Sequence, residues 1–167
     1  MRFEQLEKPV IGAVNGLCYT GALSMLLSFD LVVASEDAVF ADTHAKFGMV
    51  HGGGTTQRLR NQVGPLAAKE LLFTCEPINA HEALRVGLVN RVVPADRLAA
   101  EVAALAQSVA RNDAEALRVA KSVINSGTRW GSAVGFELEA RAYRAQRRSV
   151  AQGRKAITIV TDGGSND

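Results

Sequence analysis

The sequence contains few cysteines, and none in a pattern that binds metals. Its two cysteines, Cys18 and Cys75, lie far apart, with no CxxC pair and no histidine at metal-ligand spacing. This argues against both a disulfide framework and a zinc site. We therefore expect a chain without a bound metal, in a reducing, cytoplasmic setting.

Long hydrophobic runs are also missing. Where a signal peptide would need an apolar stretch, the first residues include Glu4, Glu7 and Lys8. The most apolar later run is interrupted at Ser28 and Asp30, which argues against a membrane-spanning helix. We therefore expect neither secretion nor a membrane partner.

An excess of charge of one sign is absent as well. The 19 basic and 17 acidic side chains of the 167-residue chain leave a formal net charge of +2. A protein that neutralises a nucleic-acid backbone needs a clustered basic excess, so no nucleic-acid partner is expected. Internal repeats and low-complexity blocks are missing too, and an apolar content of 47% is enough for one compact domain.

The sequence changes its pattern at the glycine run 52–54. Before the run, apolar stretches rich in β-branched residues at 9–14, 31–34 and 38–41 predict short buried strands, and 20–27 predicts a helix. After the run, helical periodicity dominates, and glycine or proline separates the segments. The predicted helices lie near 55–64, 66–73, 80–86, 96–110, 113–125 and 131–152.

Four stretches, in this order and spacing, resemble the enoyl-CoA hydratase/isomerase (crotonase) family. They are KPVIGAVNG at 8–16, TGALSMLLSFDLVVASEDAVFAD at 20–42, GGGTTQRL at 52–59 and ALRVGLVNRVV at 83–93. The resemblance implies an α/β fold in which ββα units form a spiral, assembled into trimers or hexamers that bind acyl-CoA thioesters.

Combined with the helical periodicity, this resemblance predicts two regions of a single domain. Residues 1–64 would form a partial ββα spiral with the acyl-CoA pocket, and residues 65–167 a helical C-terminal layer. Family members carry a front part ahead of the KPV strand, whereas only seven residues precede Lys8 here. The expectation is a chain truncated at its N-terminal side relative to the family.

The chemistry implied by the resemblance places negative charge on a thioester oxygen as an enolate. Family members hold this charge with two backbone N–H groups, one of them at the glycine that opens the helix after the Asn-Gly turn. Gly21 matches that position, although a glycine there could equally serve only the turn. The second N–H comes from the front part, so the sequence predicts that this chain does not supply it.

Acid–base catalysis in the family uses two glutamates, whose positions hold Ser24 and His44 here. A serine hydroxyl is a poor base without a group that activates it. Imidazole, with an ordinary pKa of about 6.5, can take and give a proton near neutral pH, which makes His44 the better candidate. The alternative is a structural histidine bonded to Asp42 or to backbone, and Asp42 could also orient the ring.

Substrate binding is predicted for Asp42 and for the glycines Gly52, Gly53 and Gly54, whose backbone can approach an acyl group closely. The triplet lacks the Gly-Lys-Ser/Thr that a nucleotide phosphate loop requires. His51 precedes it, either near the pocket or as an exposed loop residue.

A basic stripe, formed by Arg141, Arg144, Arg147 and Arg148, could meet the phosphates of coenzyme A or be a solvated helix face. Two functions therefore remain open. One is an enzyme of fatty acid metabolism that acts on acyl-CoA and needs no separate cofactor, since coenzyme A is part of the substrate. The other is an inactive crotonase-fold relic or subunit that keeps oligomerisation and weak coenzyme A binding.

Overall fold

The computed structural model divides the chain into two compact units, Met1–Asn112 and Asp113–Asp167, and describes residues 2–151. The strands of the first unit are β1 (Ile11–Val14), β2 (Leu17–Tyr19), β3 (Leu31–Ser35), β4 (Val39–Ala41), β5 (Ile78–Asn79) and β6 (Arg91–Val93). Its helices are α1 (Gly21–Leu26), α2 (Thr55–Thr74), α3 (Ala80–Arg85) and α4 (Leu98–Ala110), with 3-10 helices at Arg2–Gln5, Ala45–Phe47 and Ala95–Arg97. The second unit contains α5 (Ala114–Trp130) and α6 (Ser132–Ala151).

The strands alternate between two small sheets. One sheet has the order β1-β3-β6 with parallel neighbours, and the other has the order β2-β4-β5, in which β2 and β4 are parallel. The turn Asn15-Gly16 leads from β1 to β2, and Glu36-Asp37 leads from β3 to β4. Each pair is followed by a helix, α1 or α2. This ββα order confirms the predicted α/β class and is the order that the resemblance implies.

Strand β3 is buried on both faces. Val32 belongs to the main core cluster, whereas its neighbour Val33, fully buried, packs with Leu98 and Leu105 of α4. Side chains alternate across a strand, so a strand covered on both sides must be apolar at consecutive positions. This explains the continuous apolar run at 31–34.

The predicted helix break at Gly64-Pro65 is confirmed. Within α2, Gly64 leaves helical geometry with φ 80° and ψ 165°, and Pro65 follows it. Proline has no amide hydrogen and disfavours helical geometry in the residue before it. The two predicted helices on either side therefore meet at a kink, and the region boundary predicted at residue 64 falls inside α2.

The region 65–167 is not purely helical, because it also contains β5 and β6. These strands, like β2, span only two or three residues. Such lengths are too short for an alternation of apolar and polar residues to be recognised. Their strand geometry comes from pairing: Phe40 of β4 lies opposite Ile78, and Ala34 of β3 lies opposite Val92.

The second unit is a helical hairpin with a close contact between glycines. Asp113 caps α5 by accepting a hydrogen bond from the Ala116 amide at 2.8 Å. Gly131, with φ 96°, separates α5 from α6. A Cβ added to Gly135 would lie 3.0 Å from the Cα of Gly127. The two helices approach at a point where neither has a side chain.

The basic stripe lies on α6. Arg141 forms an ion pair with Glu137 one turn earlier, and the other three arginines are exposed. Both interpretations of the stripe stay predictions.

The C-terminal stretch 154–167 lies outside the described residues. Among helices within residues 2–151, none combines the length and apolarity needed to cross a bilayer.

Candidate active site

Thr20, the residue before α1, has a strained backbone. Its φ of 49° with ψ of −98° is unusual for a β-branched residue, and conformations of this kind cost about 1–3 kcal/mol. Three hydrogen bonds join it to Ala41 and Thr43. Thr20 N donates to Ala41 O at 2.9 Å, the Thr20 and Thr43 hydroxyls lie 2.6 Å apart, and Thr43 N donates to Thr20 Oγ1 at 3.2 Å. The entry to α1 is thereby attached to the end of β4.

Gly21 is the first residue of α1 and is exposed. The first amides of an α-helix have no acceptor within the helix. Apart from its chain neighbours and the backbone of its own helix, no heavy atom lies within 4 Å of the position that a Cβ would occupy on Gly21, so its surroundings are open. The strained Thr20 directs where this amide points. The geometry is compatible with the predicted role of Gly21 in binding an oxyanion, which stays a prediction.

Ser24 is buried and joins α1 to α2. Its hydroxyl lies 2.5 Å from Thr55 Oγ1 and 2.9 Å from Thr20 O. Thr55, itself fully buried, also reaches Gly52 O at 2.8 Å. Neither an imidazole nor a carboxylate contacts the Ser24 hydroxyl within residues 2–151. These contacts favour a structural role for Ser24 and offer no group that would activate it as a base or nucleophile.

Asp42 and His44 form a tight pair. Asp42 follows β4 directly and is fully buried. Its carboxylate accepts a hydrogen bond from the His44 amide at 3.0 Å, and both of its oxygens lie 3.0 Å from His44 Nδ1. An ionised carboxylate can only accept, so Nδ1 carries a hydrogen and leaves Nε2 as the basic nitrogen. The predicted pairing of Asp42 with His44 is confirmed, whereas the catalytic role of His44 stays a prediction.

His51 completes what we call the His–Asp–His cluster, formed by Asp42, His44 and His51. Its Nε2 lies 3.3 Å from Asp42 Oδ1, and the two imidazole centroids are 5.2 Å apart. Despite that distance, His51 Nε2 has no hydrogen-bond partner and is buried. The distance allows electrostatic attraction, but the ring is not aligned for a hydrogen bond. The sequence did not predict this approach to Asp42.

The glycine loop, residues 52–54, is held in place by Arg58. Its guanidinium donates to Gly53 O and to Glu4, with Arg58 Nε 2.5 Å from Glu4 Oε1. The hydrogen bond and charge of Glu4 raise the pKa of Arg58 further above its ordinary value. Gly54 has φ 79°, and a Cβ there would lie 2.5 Å from Arg58 Nη1. Only glycine therefore suits position 54.

Hydrogen bonds, together with the ion-pair contact between Asp42 and His51, connect most of the predicted site residues through three segments. Thr20 joins the start of α1 to the end of β4, Ser24 joins α1 to the glycine loop through Thr55, and Asp42 joins β4 to His51. Sequence reasoning missed Thr20 and Thr55. Their types carry no signal, because both roles depend on partners more than twenty positions away.

A model of the family described as enoyl-CoA hydratase/isomerase matches residues 1–158 of the chain. The short-chain-enoyl-CoA hydratase of Clostridium acetobutylicum is 41% identical over 141 residues, which are 83% of this chain and 54% of that protein. The short-chain-enoyl-CoA hydratase of Clostridioides difficile is 39% identical over 137 residues, 82% of this chain and 88% of that protein. The chain thus spans about half the length of the first relative and most of the second.

Solved structures show the same similarity. The crystal structure of enoyl-CoA hydratase from Bacillus anthracis superposes with a TM-score of 0.82 at 32% identity, covering 93% of this chain and 64% of that one. An enoyl-CoA hydratase subunit from Geobacillus kaustophilus gives a TM-score of 0.80 at 32% identity, covering 95% of this chain and 65% of that one. The fold described above is therefore that of solved enoyl-CoA hydratases.

Proposed function

This chain belongs to the enoyl-CoA hydratase/isomerase family, and on that premise we propose that it acts on enoyl-CoA thioesters by stabilising an enolate. The Gly21 amide binds the thioester oxygen as negative charge develops there. A preorganised backbone donor of this kind is worth about 10²–10³-fold in rate. The strain at Thr20, held by its hydrogen bonds to β4, supports this role because it determines where the Gly21 amide points.

His44 is the proposed proton carrier. The observation that carries this assignment is the 3.0 Å approach of His44 Nδ1 to both oxygens of the fully buried Asp42. The carboxylate orients the ring and stabilises the imidazolium that forms when Nε2 takes a proton. Asp42 is therefore a positioning residue, and the glycine loop provides the backbone that the acyl group approaches.

The remaining properties follow the family. Coenzyme A is proposed to enter as part of the substrate, with no separate cofactor, in an enzyme of fatty acid metabolism. The proposed cytoplasmic location is supported instead by the two widely spaced cysteines. Assembly into a homo-trimer or hexamer is proposed as well. It is supported by the exposed apolar side chains Phe47, Met49 and Val50, of which Val50 is 91% exposed, because adjacent exposed apolar residues mark interaction surfaces. Sedimentation velocity tests this proposal, and a monomer at every concentration would contradict it.

Hydration of crotonyl-CoA, followed by the loss of enoyl thioester absorbance, tests the catalytic proposal. His44→Ala should lower kcat by about 10²-fold or more, as for a positioned acid–base group. His81→Ala is the matched control, because His81 is an exposed histidine on α3. Equal rates for the His44→Ala variant and the parent would show that another group carries the proton. A parent without turnover would favour the inactive subunit.

A further inference from the structure

The buried nitrogen of His51 is a polar atom that the proposed chemistry does not use. His51 Nε2 is shielded from solvent and has no hydrogen-bond partner. A buried polar atom of this kind destabilises the fold unless something satisfies it. It faces a carboxylate oxygen that another imidazole also approaches. His51 Nε2 therefore lies close to Asp42 without a hydrogen bond that would explain its position.

We propose that the His–Asp–His cluster binds a divalent transition-metal ion of the zinc type. The ligands are His44 Nδ1, His51 Nε2 and a carboxylate oxygen of Asp42. All three ligand atoms lie within 4.8 Å of one another. Metal binding does not depend on the proposed acyl-CoA chemistry, since it follows from the geometry of these three side chains, although His44 and Asp42 belong to both.

The distances suit a small tetrahedral ion. Zinc lies about 2.0–2.2 Å from nitrogen and oxygen ligands, so tetrahedral geometry separates two ligand atoms by about 3.3–3.5 Å. His51 Nε2 is 3.3 Å from Asp42 Oδ1, and His44 Nδ1 is 3.0 Å from the same oxygen. The three ligand atoms lie within 4.8 Å of one another, so binding one ion requires the side chains to rotate.

The donor set selects the class of ion. Two imidazoles and one carboxylate suit zinc and its first-row neighbours, whereas magnesium and calcium take oxygen ligands almost entirely. Three protein ligands leave a fourth position for water. The buried Asp42 carboxylate supplies the negative charge of the donor set, and each histidine side chain is 16% exposed.

Binding changes which nitrogen of His44 carries the hydrogen. Its Nδ1 donates to Asp42 in the metal-free cluster, so the neutral ring must move its hydrogen from Nδ1 to Nε2 before Nδ1 can bind the ion, with no net loss of a proton. The ion then holds the ring in one orientation. Because two of the ligands are the proposed proton carrier and its positioning residue, zinc should also inhibit any hydratase activity.

Isothermal titration of the tag-free, metal-free chain with Zn²⁺ tests the site. We expect one ion per chain, with affinity at least about tenfold weaker in His51→Ala and in His44→Ala because each loses a ligand. His81→Ala should bind as the parent does. Cys75→Ser should as well, which excludes a thiol ligand. Co²⁺ should give the visible absorption of a tetrahedral nitrogen and oxygen site in the parent and lose it in His51→Ala.

A second measurement guards against variants that unfold. Zn²⁺ should raise the melting temperature of the parent, because a ligand that binds the folded state stabilises it, and should have no such effect on His51→Gln. Circular dichroism checks that each variant is folded. Unchanged zinc affinity in folded His51→Gln, affinity lost in Cys75→Ser, or no saturable binding by the parent would each overturn the proposal and leave the cluster as a hydrogen-bonded pair beside an unpartnered histidine.

Discussion

The hydroxyls of Ser24 and Thr55 lie 2.5 Å apart. Together they make three contacts with oxygen atoms but have only two hydrogens to donate. Ser24 also reaches Thr20 O, and Thr55 also reaches Gly52 O. Each hydroxyl has one hydrogen. Either Ser24 donates to Thr55, which donates to Gly52 O, or Thr55 donates to Ser24, which donates to Thr20 O. In both arrangements one hydroxyl donates a hydrogen bond to the other, and this bond couples α1 to the glycine loop.

This coupling predicts a non-additive pair of substitutions. Ser24→Ala and Thr55→Val should each lower the free energy of unfolding by about 0.5–1.5 kcal/mol, the usual net contribution of a hydrogen bond. The double variant should lose less than the sum, by about 0.5 kcal/mol or more, since the second substitution removes a contact already lost. Urea unfolding of the four proteins measures this. Strictly additive losses would mean that the two hydroxyls do not interact.

The strained backbone at Thr20 predicts different effects for two substitutions. Thr20→Val keeps the β-branched strain and removes the hydroxyl that bonds Thr43, so it should destabilise by about 1–2 kcal/mol. Thr20→Gly loses the same hydroxyl but relieves the positive φ of 49°, so its loss should be smaller. Chemical denaturation compares them. Equal losses in the two variants would show that Thr20 stores no strain.

The geometry of the glycine loop predicts that two of its positions, 52 and 54, tolerate alanine differently. Gly54→Ala forces a side chain into φ 79° and against Arg58, and should destabilise by at least about 1 kcal/mol. Gly52→Ala is the matched control, because nothing lies within 4 Å of its Cβ position and its φ is not positive. It should be neutral or slightly stabilising. Thermal unfolding distinguishes them, and similar melting temperatures would contradict the described loop geometry.

The buried Cys18 thiol predicts a loss of stability at alkaline pH. Burial raises its pKa from 9.0 to about 11, because the folded chain disfavours the thiolate. As the pH rises, the unfolded chain loses this proton before the folded chain does. The contribution of Cys18 to the free energy of unfolding is therefore complete below about pH 9 and falls as the pH rises to about 11. Denaturation across this range measures the fall, which Cys18→Ala should reduce and Cys75→Ala should not. An unchanged profile in Cys18→Ala would contradict the shift.

Local chemistry made part of the fold predictable. The strand at 31–34 was recognisable because burial on both faces requires consecutive apolar residues. The strand at 9–14 was recognisable from its β-branched residues, although its Ala13 is exposed. The kink in α2 was recognisable because proline at 65 restricts the residue before it. The short strand β2 was not recognisable from the sequence. A strand of three residues contains too little pattern, and its geometry depends on pairing with β4.

The candidate site was predictable to the extent that its residues are close in sequence. Asp42 and His44 are two positions apart, so their pairing could be foreseen as one alternative. The approach of His51 could not, because it depends on how the chain between 44 and 51 returns to β4. Thr20 was missed for another reason: threonine has no preference for a positive φ, and only its hydrogen bonds impose one.

The contact between Gly127 and Gly135 adds little surface to the core of the helical hairpin, yet it determines which alignment of α5 and α6 is possible. A Cβ on Gly135 would lie 3.0 Å from the Gly127 Cα, which is tighter than ordinary contact. One on Gly127 would lie 3.5 Å from the Gly135 Cα, so the close approach depends on Gly135 in particular. Sliding α6 by one turn would bring Glu139 to the place of Gly135, and its side chain would collide with α5. The contact therefore distinguishes one register of the two helices from alternatives that bury similar apolar surface.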